Sequence, residues 1–364
     1  MNNVIPGLPR PSRAKRIHKT LMASVGIAGL LAGSAFLTGC SDNSHQGAEG
    51  SKSSEDFVIP EVSASTYPLT LPNCGMQVSI PKKPSRVAVL GGASVGEVET
   101  LISLNQEKSI LGNAQNYGVS DEKGMPEKIT KLPPIPGQGP TGATAEQILA
   151  AKPDLVISTW EGGFDPAMGA PTRKQLEEQG IASYINPAQC AKESGDKGIN
   201  GSYKMMADFG TIFDAQQQAA AQIRRSQQAI RDSEAQHGHQ DDVNALIAFP
   251  GMAAMNAHGL PAVMTGGIYD DVLQKAGVKN AIQGDAETTK TLTPEKLASA
   301  DVDLLVLGQF SPTENPEDEA RKLFEKYPQW EASKNKRWIS VSDSIYYGPL
   351  NHIGVEKIAA AARN

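Results

Sequence analysis

The sequence predicts an α/β fold of two Rossmann-like lobes, each with a parallel central sheet, joined by one long helix. Three observations support this prediction: short apolar segments alternate with helical patterns, one helical segment is long and polar, and a short pattern recurs in both halves. The 364 residues suffice for two domains, and 39% hydrophobic with 20% charged residues is a globular composition. The net charge of -6 argues against nucleic acid as the main partner, because nucleic-acid binding needs a basic surface.

Residues 1–39 have the pattern of a secretory signal peptide, because five basic residues precede an apolar segment at 21–37. That segment ends in Leu-Thr-Gly-Cys, which resembles the lipobox of bacterial lipoproteins. The resemblance implies cleavage before Cys40 and a diacylglycerol on its thiol. The alternative is a transmembrane anchor, for which about 17 apolar residues lie at the short limit. No acidic residue precedes Cys40, so cleavage would leave a chain with a charge near -11.

Residues 40–66 predict a lipidated cysteine followed by a flexible tether, because they are polar, rich in Ser and without periodicity. Since Cys40 would carry the lipid and an exported protein meets an oxidising environment, we expect Cys74 and Cys190 to form a disulfide. The alternative is two separate buried thiols. A metal site at either cysteine is disfavoured, because no other Cys or His lies near it in the sequence.

Short apolar segments predict parallel strands that are covered on both faces. They are Arg86–Leu90, Leu155–Ser158, Ile181–Tyr184, Ala245–Phe249, Leu304–Leu307 and Trp338–Val341. Helical patterns lie between them at 145–151, 173–179 and 294–300. This alternation of strands and helices is typical of α/β proteins with parallel sheets.

The long helix is predicted to begin after Asp214 as N-cap, with Gln217 in the capping-box position. No Gly or Pro interrupts the segment up to about Gln236, and Gly238 is a suitable stop. Its apolar stripe is thin, which is typical of a helix that bridges two domains rather than one in a core. The stripe consists of Ala219, Ile223 and Ile230.

The internal repeat pairs residues 145–158, AEQILAAKPDLVIS, with residues 294–307, PEKLASADVDLLVL. Each segment has a glutamate, Glu146 or Glu295, eight residues before an Asp-Leu pair that opens a predicted strand. Two related lobes explain the repeat, and a chance match of so short a pattern is the alternative. The predicted boundaries are 67–213 for the first lobe, 214–237 for the helix and 238–364 for the second lobe.

The segments PSRVAVL at 84–90, EQIL with KPDLVI at 146–157, and LE with GI at 176–181 resemble the class III substrate-binding proteins of ABC importers. The resemblance covers most of residues 72–360. Members of this family carry ferric siderophores, haem or cobalamin. The resemblance implies a rigid connecting helix and a monomeric binding protein, not an enzyme, anchored by lipid on the extracytoplasmic face of the cell membrane.

The same resemblance implies an ABC permease dimer as partner. In the family, one glutamate from each lobe docks into an arginine pocket of the permease, and these positions match Glu146 and Glu295. An exposed carboxylate can form a charge-assisted bidentate pair with arginine. The alternative is that each glutamate only stabilises the N-terminus of its own helix.

Candidate ligand contacts follow from the rule that ligands of open α/β sheets bind beyond the carboxyl ends of the strands. Trp160 directly follows a predicted strand and aligns with a cleft aromatic in the family, so it is the first choice. The alternative for Trp160 is packing within its own lobe, and for Tyr346 and Tyr347 it is capping of the sheet edge. The further candidates are Tyr346, Tyr347, Tyr117, Phe310, Met252 and Tyr269.

The ligand predicted from these residues is an iron chelate, with no cofactor or metal site built by the protein alone. Few histidines lie near the strand ends, which disfavours haem and a zinc or manganese site, although His258 and His352 are present. No arginine cluster is evident, so a neutral or cationic chelate such as a ferric hydroxamate siderophore is favoured. Haem or a corrinoid is the alternative. An exported enzyme is less favoured, because the sequence lacks a G-x-S-x-G elbow and a P-loop.

Overall fold

The structure is a computed structural model that describes residues 56–90, 95–135, 143–191, 196–240 and 242–363. The predicted signal peptide, the lipid attachment at Cys40 and most of the predicted tether lie outside the described residues. The described residues belong to one compact unit. All statements on the fold below refer to this part of the chain.

The first lobe is built on a sheet with strand order β4-β3-β5-β6, and all of its strand pairs are parallel. An antiparallel hairpin, β1 with β2, precedes it. The elements are β1 Leu69–Asn73, β2 Met76–Ile80, β3 Val87–Val89, α1 Gly96–Ser103, β4 Ile110–Asn113, α2 Met125–Thr130, α3 Ala145–Ala150, β5 Leu155–Ser158, α4 Arg173–Glu178, β6 Ala182–Ile185 and α5 Ile199–Ile212.

The second lobe follows α6, Gln216–His237, and is built on a sheet with the order β11-β10-β7-β8, in which β9 also pairs with β7. Only β8 runs antiparallel to its neighbour. The elements are β7 Asn244–Phe249, β8 Ala262–Val263, α7 Gly267–Lys275, β9 Lys279–Asn280, α8 Ala286–Thr291, α9 Pro294–Ala298, β10 Leu304–Gly308, α10 Pro316–Lys326, α11 Glu331–Asn335, β11 Trp338–Val341 and α12 Asn351–Ala362.

The predicted fold class is confirmed, because each sheet is largely parallel and one long helix lies between them in the chain. Every residue of the strands β3, β5 and β10 is buried, as expected of parallel strands covered on both faces. All six predicted strands are present, with ends that shift by at most one or two residues. The sequence did not predict β1, β2, β4, β8 or β9, of which β8 and β9 have only two residues each.

Helix α6 has 22 residues and is about 33 Å long. It packs against α5 and α12, so it contacts elements that come before and after it in the chain. The predicted stripe of Ala219, Ile223 and Ile230 is buried. Among the helices of residues 56–363, none combines the length and the apolar character that a bilayer crossing needs.

The predicted N-cap of α6 is wrong. Asp214 has a φ of +48°, and Ala215 occupies the N-cap position without a side-chain hydrogen bond. The Asp214 carboxylate instead accepts a hydrogen bond from the Ser65 backbone N–H at 2.8 Å. Asp214 therefore belongs to the tight turn that ends α5, because the Ala215 N–H donates to the Gly210 carbonyl.

The last part of the predicted tether is held against the fold. The ring of Phe57 packs on Tyr203 of α5, with 5.9 Å between the ring centroids. The Gln227 side chain of α6 donates to the Phe57 carbonyl, and Ser65 donates to the Thr211 carbonyl. Aromatic packing and hydrogen bonds to two helices thus hold residues 57–65 against the fold. The composition of this segment does not predict these contacts, because the partners are distant in the sequence.

The β1–β2 hairpin is attached to the first lobe by a disulfide to Cys190, which follows the turn after β6, and by a buried arginine. Cys74 and Cys190 form the disulfide that the cysteine count predicts. Arg173 is buried and donates to the backbone carbonyl of Asn73 at 2.9 Å, to the Asn73 side chain at 3.0 Å and to the Ser183 hydroxyl at 3.0 Å. Its guanidinium is therefore used in the fold, not in ligand recognition.

We predict that Arg173→Met lowers the free energy of unfolding by about 2–3 kcal/mol, because several buried acceptors lose their donor while the apolar stem is kept. Urea unfolding measures the change. Lys174→Met on the next residue of the same helix is the matched control, since its side chain is exposed, and it should stay close to the parent. Equal midpoints for the two variants would show that the arginine contacts contribute nothing.

Candidate ligand-binding site

A cleft with a volume of about 340 Å³ lies between the two lobes. On the first-lobe side it is lined by Thr159, directly after β5, and by Ala188 and Gln189, shortly after β6. On the second-lobe side it is lined by Tyr346 and Tyr347, which follow β11, and by the start of α7 and α8. The cleft therefore lies at the carboxyl ends of strands from both sheets, which is where α/β folds bind ligands.

Four of the predicted aromatic residues form one cluster around Tyr346. The Tyr346 ring centroid lies 6.0 Å from that of Tyr117 and 6.4 Å from that of Tyr269, and Tyr117 lies 4.7 Å from Phe310. Phe249, the last residue of β7, stacks on Tyr346 at 5.7 Å. The sequence did not single out Phe249, because it was counted as a strand residue. Since Tyr117 comes from the first lobe, the cluster joins the two lobes below the cleft.

The hydroxyl groups of this region remain protonated. Burial raises the pKa of Tyr117, Tyr269, Tyr346 and Tyr347 well above the ordinary value for tyrosine, because the phenolate would lose its hydration. The Tyr347 hydroxyl donates to the Lys197 carbonyl at 2.5 Å, whereas the buried Tyr346 hydroxyl has no partner among the described residues. Without a bound ligand, phenols in this state can act as hydrogen-bond donors.

Trp160 lies where the sequence predicts, directly after β5, and 43% of its surface is exposed. Its ring packs over the backbone at Gly162, where a Cβ atom would come within 2.3 Å of the ring. A glycine is therefore required at that position. The preceding residue Thr159 lines the cleft, whereas Trp160 is not among the described residues that line it.

Met252 is buried in the same hydrophobic cluster as Tyr346 and Tyr347, but unlike these tyrosines it does not line the cleft. Met255, three residues later, is 46% exposed. The structure therefore brings together Tyr117, Tyr269, Phe310, Tyr346 and Tyr347, leaves Trp160 exposed nearby and uses Met252 for packing.

The charged side chains that line the described part of the cleft are Lys197, Asp285 and Glu287. Below the cleft, Glu97 of α1 is fully buried, and the Asn186 amide donates to its carboxyl at 3.4 Å. Burial raises the pKa of Glu97 to about 7, and hydrogen bonds from Thr159, Asn186 and Gln115 limit the rise. No sequence pattern marked Glu97, because a glutamate in the first turn of a helix is usually exposed. The site as a whole is acidic, which favours neutral or cationic ligands over anionic ones.

Glu146 and Glu295 occupy equivalent positions in the two lobes. Each is the second residue of a short helix, α3 or α9, whose N-terminus is capped by a threonine, Thr144 or Thr293. Each helix is followed by the strand β5 or β10, and both side chains are exposed. Hydrogen bonds from its own backbone N–H and from Thr293 lower the pKa of Glu295, so this carboxylate is ionised at neutral pH.

The histidines do not form a metal site in the described chain. His258 is exposed, and His352 lies near the start of α12, where burial lowers its pKa. Among the described residues, no group of three or more His, Cys, Asp or Glu side chains is arranged to hold a metal ion.

The chain has the architecture of a two-lobe binding protein with its cleft at the strand ends. A sequence profile of the periplasmic binding protein family matches residues 87–343, and the chain belongs to this family. Proteins of this family bind small molecules on the extracytoplasmic side for ABC permeases. No curated protein matched the chain by sequence.

Solved structures with the same fold include an ABC-type Fe3+-hydroxamate transport protein of Saccharomonospora viridis, with 21% identity and a TM-score of 0.61 over 81% of this chain and 99% of that one. The periplasmic heme-binding protein RhuT of Roseiflexus sp. has 19% identity and a TM-score of 0.55 over 76% and 97%. Helicobacter pylori CeuE, solved with Ni(II) bound, has 16% identity and a TM-score of 0.58 over 81% and 88%. At these identities the similarity establishes the fold.

We predict opposite effects for two neighbouring tyrosine substitutions. Tyr347→Phe should lower the free energy of unfolding by about 1 kcal/mol, because the hydrogen bond to the Lys197 carbonyl is lost. Tyr346→Phe should leave stability unchanged or raise it, because it removes a buried hydroxyl without a partner. Urea unfolding of both variants measures the difference, and a larger loss for Tyr346→Phe would contradict the assigned hydrogen bonds.

Proposed function

We propose that the protein is the substrate-binding lipoprotein of an ABC importer and that it captures a ferric siderophore, of hydroxamate type, between its lobes. The observation that carries this proposal is the cleft itself, about 340 Å³ at the strand ends of both sheets, with tyrosines on one wall. Its volume falls within the usual range for small-molecule sites. The protein would then deliver the chelate to the permease dimer.

The chemistry of the cleft favours an uncharged or cationic chelate. Protonated phenols can donate hydrogen bonds to the oxygens of a chelate, and Thr159 and Gln189 offer further neutral polar groups. Asp285, Glu287 and the buried Glu97 would repel a chelate that is rich in carboxylates. The Saccharomonospora viridis relative, described as part of an Fe3+-hydroxamate transport system, supports this chelate class.

Haem or a corrinoid is the second candidate, and the aromatic wall favours it. Planar macrocycles pack on aromatic rings, and the Roseiflexus relative is described as heme-binding. Against this candidate, neither His258 nor His352 is among the described residues that line the cleft. We therefore rank haem second.

Delivery to the permease is assigned to Glu146 and Glu295. Both carboxylates are exposed on equivalent helices, and among the described residues neither forms an ion pair with a neighbouring side chain. Each is thus free to pair with an arginine of one permease subunit. The lipid on Cys40 would hold the protein at the membrane where the permease lies.

We predict that Trp160→Ala weakens binding of the chelate by about 1–3 kcal/mol, as expected on loss of an aromatic anchor. A titration of protein fluorescence against ferric siderophores, haem and corrinoids measures the affinity and identifies the class. The matched control is Trp338→Phe, since Trp338 opens β11 at the end remote from the cleft, and it should keep both the affinity and the quenching. If no chelate quenches the parent protein, the ligand assignment is wrong.

We also predict that Glu146→Ala combined with Glu295→Ala abolishes uptake while the affinity for the chelate is kept. Uptake by cells and binding by the purified protein measure the two effects separately. The control is Glu317→Ala combined with Glu331→Ala, which removes two exposed glutamates from other helix N-termini. Equal uptake by both double variants would mean that Glu146 and Glu295 only stabilise their helices.

A further inference from the structure

The loop that carries the two cleft tyrosines has little regular structure of its own. This tyrosine loop, Ser344–Gly348, lies between β11 and α12, and each of its residues is buried. A short 3-10 turn ends at Ile345, and the residues after it belong to neither a helix nor a strand. Its buried carbonyl groups therefore need hydrogen-bond partners other than those of a strand ladder.

Asn351, the first residue of α12, supplies partners for two of these carbonyl groups. Its Nδ2 atom donates to the Ser344 carbonyl at 2.9 Å and to the Tyr346 carbonyl at 2.7 Å. Asn351 is only 1% exposed, so both hydrogen bonds are shielded from water. Because carbonyl oxygens only accept hydrogen bonds, the amide nitrogen must face the tyrosine loop and the amide oxygen must face away from it.

Ser202 of α5 completes the network from the first lobe. Its hydroxyl donates to the Asn351 Oδ1 atom at 2.7 Å and accepts a hydrogen bond from the Gly348 N–H at 3.1 Å. Ser202 is fully buried as well. The two side chains are thus bonded to each other and to backbone groups on both sides of Tyr347.

The side chain of Tyr347 is fixed separately at its far end. Its hydroxyl donates to the Lys197 carbonyl at 2.5 Å, and a Cβ atom on Gly267 would lie 3.3 Å from that hydroxyl. All three of these residues line the cleft. Ser202 and Asn351 are not among the described residues that line it, so their influence on a ligand would pass through the tyrosine loop.

We propose that Ser202 and Asn351 are positioning residues of the ligand site, which hold the tyrosine loop in its binding arrangement before a ligand arrives. This inference rests on the proposed function, because it assigns the tyrosine wall of the cleft to ligand binding. A wall that buried hydrogen bonds already fix does not have to be ordered on binding, and such preorganisation raises the affinity. Since the network joins α5 to α12, it sets the position of the wall relative to both lobes.

Asn256, between β7 and β8, provides a matched comparison for Asn351. Its Nδ2 atom donates to the Thr289 carbonyl at 2.9 Å and to the Leu292 carbonyl at 3.1 Å, and Asn256 is buried as well. These three residues are not among the described residues that line the cleft. Substitution of Asn256 therefore has the same kind of cost for the fold without a change at the tyrosine loop.

The test compares Asn351→Asp with Asn256→Asp, because each change keeps the shape of the side chain and replaces two donors with an acceptor. Hydrogen exchange of the full chain without ligand, followed by mass spectrometry, reports on the tyrosine loop directly. We expect about tenfold faster exchange of residues 344–348 in Asn351→Asp, with β10 unchanged, since the loop loses two buried hydrogen bonds. Asn256→Asp should keep the parent rate in the loop.

Ser202→Ala is a milder second variant, because it removes one hydroxyl and leaves Asn351 in place. The Gly348 N–H loses its acceptor, so its exchange should also be about tenfold faster. The matched control is Ser226→Ala, which removes a buried hydroxyl of α6 that bonds to the Tyr203 hydroxyl at 2.9 Å. This control should keep the parent exchange in the tyrosine loop.

Titration with a ferric hydroxamate chelate and with haem measures the affinity. Asn351→Asp and Ser202→Ala should weaken binding of the probe that the parent binds by about tenfold, since two tyrosine side chains must then be ordered on binding. Both controls should keep the parent affinity.

Equal exchange of the tyrosine loop in the test and control variants would overturn the inference. Parent-like affinity in both Asn351→Asp and Ser202→Ala would overturn it too. If the parent binds neither probe, the proposed function fails, and exchange of the loop alone decides whether Ser202 and Asn351 hold it in place.

Discussion

The backbone contact between α1 and the segment that follows β11 is the constraint on which the site depends. Gly96 and Tyr347 approach so closely that no side chain fits between them. This contact fixes the depth of the cleft, because Tyr346 and Tyr347 form one wall and are carried by the same segment. Glu97 and Glu99, on the same helix as Gly96, are fully buried.

Burial removes the hydration of the Glu97 and Glu99 carboxyl groups, and the surroundings of the two groups differ. A desolvated carboxylate is strongly disfavoured, so such groups gain a proton or acquire hydrogen bonds. Glu97 has donors in Asn186, Thr159 and Gln115. Glu99 has no comparable donors, and burial raises its pKa well above the ordinary value for glutamate.

The sequence predicted the features that depend on local pattern and missed those that depend on contacts between distant segments. Short parallel strands appear in the sequence as largely apolar segments, so the buried strand β5 and the half-buried strand β11 are both predicted with their observed ends. Asp214 was misassigned because N-cap preference is local, whereas the hydrogen bond from Ser65 comes from about 150 residues away in the chain. Glu99 was missed for the same reason, since only the second lobe turns that face of α1 into the interior.

The strand-end rule located the site but could not distinguish ligand contacts from packing. It selected Tyr117, Phe310 and Met252 along with Tyr347, yet the first three are used mainly to pack the lobes. Aromatic residues at strand ends serve both purposes, because the same surface that binds a ligand must also join the lobes. Helix α6 packs against both α5 and α12, so it contacts elements that precede and follow it and adds to the contacts between the lobes.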